Sequence, residues 1–139
     1  MFRILLAGSD SRLLATRAAV LSKTGSAVTC HNAIETLRIL DREAFDLVVL
    51  CHSLMESEVI LIVEKIRQKL PAAKTLMVTS DVDQYERRPD GHVDATSVPE
   101  PGRLIARVKE LLQKSAYADR SRVQVASGGQ ACNELMPRP

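Results

Sequence analysis

Short apolar runs alternate with longer amphipathic stretches along this chain. Ile4-Leu5-Leu6-Ala7 is apolar throughout and reads as a buried strand. Gly8-Ser9-Asp10-Ser11 breaks the run and offers side chains able to cap a helix start. Leu13, Leu14, Ala18 and Leu21 then recur at helical spacing until Gly25 supplies a stop. Ala27-Val28-Thr29-Cys30 predicts a second, weaker strand. Asn32 is placed to cap a helix whose apolar face is Ile34, Leu37 and Leu40. Leu47-Val48-Val49-Leu50 leaves no polar face, which suits a strand covered by helices on both sides.

Farther on, Val59, Ile62, Val63, Ile66 and Leu70 form another helical stripe, stopped by Pro71. Thr75-Leu76-Met77-Val78-Thr79 predicts a fourth strand, and Val93 to Val98 a modest fifth ending at Pro99. Between them, residues 81–91 are polar, and Pro89 limits any helix there to a turn or two. Leu104, Ile105, Val108, Leu111 and Leu112 predict an amphipathic helix from about Pro101 to about Lys114. Five strand–helix alternations argue for an α/β fold: a doubly wound parallel sheet with helices on both faces. Right-handed crossovers restrict its topology to a few arrangements. One domain is expected over residues 1–115. Ala116 to Pro139 holds few apolar residues and is expected to be a mostly disordered tail, with Val123-Gln124-Val125 as a weak candidate edge strand.

Composition narrows the function classes. The 139 residues are 45% hydrophobic and 26% charged, with net charge +2, so no bulk field demands nucleic acid or a membrane surface. Phe2, Phe45, Tyr85 and Tyr117 are the only aromatics, a poor supply for stacking bases or flavins. No apolar run approaches the ~20 residues that cross a bilayer, and no signal-peptide pattern follows Met1. Cys30, Cys51 and Cys132 are odd in number and lack metal-ligand spacing, which fits a reducing cytoplasm. His31, His52 and His92 show no ligand spacing either.

Arg3-Ile4-Leu5-Leu6, Phe45-Asp46-Leu47-Val48-Val49-Leu50, Leu76-Met77-Val78-Thr79 and Pro99 before the last helix together resemble the receiver (CheY-like) domain of two-component response regulators. The likeness covers roughly residues 2–114. It implies a flavodoxin-like five-stranded sheet of order 2-1-3-4-5, here with a shortened fourth helix. In that family an aspartate ending the third strand accepts a phosphoryl group. An acidic pair after the first strand binds magnesium, a Thr or Ser ends the fourth, and a Lys before Pro ends the fifth. Carried across by position, the acceptor falls on Cys51, the acidic pair on Gly8 and Ser9, the hydroxyl on Thr79, the lysine on Val98, and the switch aromatic of the fifth strand on Ala95. The resemblance is thus to a receiver whose chemistry has been replaced, a pseudo-receiver.

The replaced residues bear directly on chemistry. Magnesium requires hard oxygen ligands, and neither glycine nor a serine hydroxyl replaces a carboxylate. A thiol prefers softer metals. Without the ion and the lysine, the charge of a transferring phosphoryl group has no clamp. The family's three carboxylates and one lysine sum to about −2, whereas the four positions here sum to about zero with Cys51 as a thiol. An apolar, fully satisfied pocket is therefore expected, with no metal, cofactor or catalysis, although a one-residue shift would turn Asp10 inward.

The leading expectation is a non-phosphorylatable receiver acting in phosphorelay-type signalling by protein–protein contact, with a signalling protein, another receiver or a second copy as partner. An alternative makes Cys51 a redox-sensing thiol. His52 is poorly placed as its base, because adjacent strand residues face opposite sides. A Cys30–Cys51 disulfide would span two strand spacings, about 9–10 Å, beyond the ~7 Å a bridge allows. A third reading, the input fragment of a transcriptional regulator, finds no helix-turn-helix pattern after residue 114. Gly8-Ser9-Asp10-Ser11 as a phosphate cradle is opposed by the charge of Asp10. Arg103 and Arg107 are candidate partner contacts, with Glu100 and Glu110 near enough to pair with them.

Overall fold

Five parallel strands form the sheet: β1 (Arg3–Ala7), β2 (Ala27–His31), β3 (Leu47–Cys51), β4 (Lys74–Val78) and β5 (Ala95–Ser97). Their spatial order is β2-β1-β3-β4-β5. The helices are α1 (Ser11–Ser22), α2 (Ala33–Ile39), α3 (Glu56–Lys69) and α4 (Pro101–Gly128). This computed structural model describes residues 2–79 and 93–128, with the side chains of α4 described up to Lys114. The expected short helix within 81–91 lies outside the described residues, as do residues 129–139. The apolar runs implied the doubly wound parallel sheet, and the strand order is the flavodoxin-like one that the resemblance implied.

Alternation along each strand divides the core in two. Leu5, Ala7, Val48, Leu50 and Met77 face one side and pack with Val59, Ile62, Val63 and Ile66 of α3. Ile4, Leu6, Val49, Cys51 and Val78 face the other and pack with Leu14 and Leu21 of α1 and Leu104 and Val108 of α4. β3 lies between β1 and β4, and all five of its residues are buried. Its start is fixed by Asp46, whose Oδ2 accepts from the Arg3 backbone N–H at 2.8 Å, while the Arg3 guanidinium lies 4.8 Å over the Phe45 ring. The start of β5 is tied to β4 by Asp94, which accepts from the Thr75 N–H at 2.8 Å and the Thr75 hydroxyl at 3.0 Å.

Three expectations need correction. The α2 face holds at Leu40, which is buried, and at Leu37, which packs against the core, but fails at Ile34, which is exposed, while Ala33, Thr36 and Ile39 are buried beside them. Asn32 caps the helix through the Glu35 N–H at 2.8 Å, and that start fixes which residues face the sheet. The last helix, expected to end near Lys114, runs to Gly128 and takes Val123-Gln124-Val125 with it. No glycine or proline interrupts residues 103–127, so no breaker stops the helix before Gly128. β5 is also shorter than the expected span from Val93 to Val98.

Candidate functional site

The carboxyl ends of β1, β3, β4 and β5 lie along one edge of the sheet, where ligands of doubly wound folds bind. Gly8 and Ser9 leave β1 there, Cys51 ends β3, Thr79 follows β4, and Val98 follows β5. The five sequence-derived pocket positions therefore share one edge. Ala95 sits at the start of β5 beside Leu76, buried below that edge. Arg103 and Arg107 do not join the site. Arg103 is exposed, and Arg107 pairs with Glu110 at 2.7 Å. Glu100 instead caps α4, accepting from the Gly102 and Arg103 backbone N–H groups at 3.0 and 2.7 Å, which hold its carboxyl below the usual range.

Gly8 is closely packed. A Cβ at that position would lie 3.0 Å from Ser53 Oγ and 3.1 Å from both Cys51 Cβ and Leu14 Cδ2. Any larger residue there must displace its neighbours. The Ser9 N–H donates to Ser53 Oγ at 2.9 Å, tying the loop after β1 to the loop after β3. Asp10 faces the other way: its Oδ1 accepts from the Arg12 and Leu13 N–H groups at 3.0 and 3.2 Å, as the N-cap of α1. Thr79 is buried, and its N–H donates to the Ser97 carbonyl at 2.9 Å, joining the ends of β4 and β5.

Cys51 is fully buried. Burial pushes its thiol above the ordinary range, and the Arg17 guanidinium, which reaches it, opposes that rise only in part. Cys30 on β2 is also raised, through desolvation and then through the nearby Cys51. Cys30 lies beside Leu6 of β1, and Leu6 beside Val49 of β3, so a strand separates the two cysteines and both thiols are free. His52 is exposed and His31 ends β2, while His92 and Cys132 lie outside the described residues.

The expectation of a wholly apolar, satisfied pocket fails at Arg17. This residue of α1 is 4% exposed, and its Nη1 is buried without a hydrogen-bond partner. Sequence reasoning missed it because an arginine ordinarily marks a solvated face. The signal was positional, since residue 17 stands three after Leu14 and four before Leu21, on the stripe that faces the sheet. Ser53 was missed because its role is to bridge two loops, which no local pattern encodes.

No protein-family model and no curated protein sequence matches the chain. Solved structures do match in fold. A CheY-like response regulator receiver domain from Methanospirillum hungatei JF-1 is 23% identical, with a TM-score of 0.72 over 85% of this chain and 98% of that one. A response regulator receiver domain from Clostridium thermocellum is 16% identical, with a TM-score of 0.73 over 85% and 99% of the two chains. An adenylate cyclase structure from Rhodopirellula baltica is 21% identical, with a TM-score of 0.74 over 88% and 96%. The architecture is that of the response-regulator receiver.

Proposed function

We propose that this protein is a receiver-type signalling module that works through protein–protein contact and does not accept a phosphoryl group. The observation that carries this reading is the end of β3, where a buried neutral thiol and a buried guanidinium stand in place of an acceptor carboxylate and its metal. The donor set does not suit magnesium. Gly8 offers no side chain, Ser9 a neutral hydroxyl, Cys51 a soft sulfur, and Arg17 a positive charge that repels a cation. Asp10 is committed to its cap. Among the described residues no group of three His, Cys, Asp or Glu side chains is placed to hold a metal ion.

The same burial weighs against Cys51 as a redox nucleophile, because the reactive species is the thiolate. Unpaired Cys30 and Cys51 suit a reducing cytoplasm, and no described helix is long and apolar enough to cross a membrane. A signalling protein, another receiver or a second copy of the chain is the partner class this reading calls for. The test is incubation of the full chain with acetyl phosphate and magnesium, followed by intact mass. The expected result is no phosphoryl adduct, and an acid-stable or acyl-phosphate adduct in the folded protein overturns the reading.

A further inference from the structure

Among the described residues Arg17 is the only charged side chain that is buried. It takes part in no ion pair there, and Nη1 finds no acceptor. A guanidinium does not escape burial by shedding its proton, as a lysine can. Cys51, which the guanidinium reaches, is held as the neutral thiol and supplies no charge. An uncompensated buried cation is costly, so the fold gains from any anion that reaches it.

The geometry aims Arg17 at the carboxyl edge of the sheet. Helical side chains lean toward the helix N-terminus, and α1 begins at that edge, directly after the loop of Gly8 and Ser9. Leu14, one turn nearer the edge, lies beside Gly8. Gly8 is buried beneath that edge, and its rim is formed by exposed Ser9 and half-buried Ser53, whose hydroxyl accepts from the Ser9 N–H and keeps its own proton to donate. Asp10, the nearest carboxylate in sequence, is turned into the α1 cap, which keeps its charge engaged with backbone N–H groups.

We propose that this pocket binds a small tetrahedral oxyanion, of the phosphate and sulfate class, on Arg17 without a metal ion. A guanidinium fork matches two oxygens of such an anion, and charge-assisted pairs are strongest where water is excluded. The bound anion takes the place of a covalent phosphoryl group as the thing the pocket senses. This inference rests on the reading of the pocket as one that is not phosphorylated.

The experiment is a titration of the full chain, in excess chelator, with inorganic phosphate and in parallel with sulfate. Chloride at matched ionic strength is the control, and amide and arginine Nε–H shifts are the readout. Saturable shifts centred on Gly8, Cys51, Ser53 and the Arg17 Nε–H are expected, with chloride producing none of them. Arg17→Met should weaken the apparent affinity on the order of tenfold or more, and Arg17→Lys should keep part of it. Shifts no larger than those with chloride, shifts centred elsewhere, or an Arg17→Met protein that titrates like the parent overturn the proposal. If Arg17→Met does not fold, the map in the parent chain and the Arg17→Lys titration decide. A flat phosphate titration removes the anion site alone, whereas a covalent adduct from acetyl phosphate removes the function proposed above.

Discussion

Cys51 is a group on which burial and a cation act in opposite directions, and burial has the larger effect. Its raised thiol makes a statement about stability. In the unfolded chain the thiol ionises near its ordinary value, about 8.5, while the folded protein keeps its proton to higher pH. The folded state then holds more protons than the unfolded one, so stability is full below that value and falls as pH rises above it. Urea melts at pH 7.5, 8.5 and 9.5 should show this decline, with a slope of at most ~1.4 kcal/mol per pH unit for each such thiol. Cys51→Ala should flatten the part of the decline that Cys51 causes, leaving that of Cys30. An identical decline in the variant would mean that the thiol is not held neutral. The identity of residue 51 was legible from the chain, because the apolar run of β3 points at it. Its partner was not. Arg17 became visible only when the packing of α1 put a nominally polar position on the buried stripe.

At the scale of elements, caps and strand starts place the site. Asp10 illustrates this, since its carboxylate satisfies two N–H groups of the first turn of α1 and so sets where Leu14 and Arg17 enter the core. Asp10→Ala should cost about 1 kcal/mol of stability, the usual value of an N-cap, measured as a shift in urea midpoint at constant slope. Asp10→Asn should retain most of it. A loss from Asp10→Asn as large as that from alanine would show that the carboxylate charge, and not the cap, is what matters. The strands were the most readable elements, because continuous apolar runs of four or five residues have few other interpretations in an alternating α/β chain. Helix faces were less readable. Ile34 belongs to the apolar stripe of α2 by composition, yet it is 63% exposed, and Thr36 takes the buried place. The end of α4 was misjudged because apolar content was weighed more heavily than the absence of a breaker before Gly128.

For the whole molecule, the sheet separates two cores that share no layer: α2 and α3 cover one face, α1 and α4 the other. The site belongs to the second face, since Cys51, Leu14 and Leu104 pack within one cluster and Arg17 reaches Cys51. Any ligand that binds the folded protein there and not the unfolded chain must raise global stability, by RT ln(1 + [L]/Kd). That linkage turns the metal question into a measurement on the entire fold. A receiver that holds magnesium is stabilised when the ion is supplied well above its dissociation constant, by about 2.7 kcal/mol at a hundredfold excess. Here the pocket offers a guanidinium, a thiol and hydroxyls in place of carboxylates, so the favourable term is missing and electrostatic repulsion remains. Magnesium chloride at ~10 mM, a concentration that fills ordinary carboxylate sites, should therefore leave the thermal midpoint where sodium chloride of equal ionic strength leaves it. Chelator should do the same. A magnesium-specific rise that survives Asp10→Ala would mean that other side chains hold the ion. A rise abolished by that substitution would mean that Asp10 leaves its cap to ligate, and either result would return the site to metal-dependent chemistry.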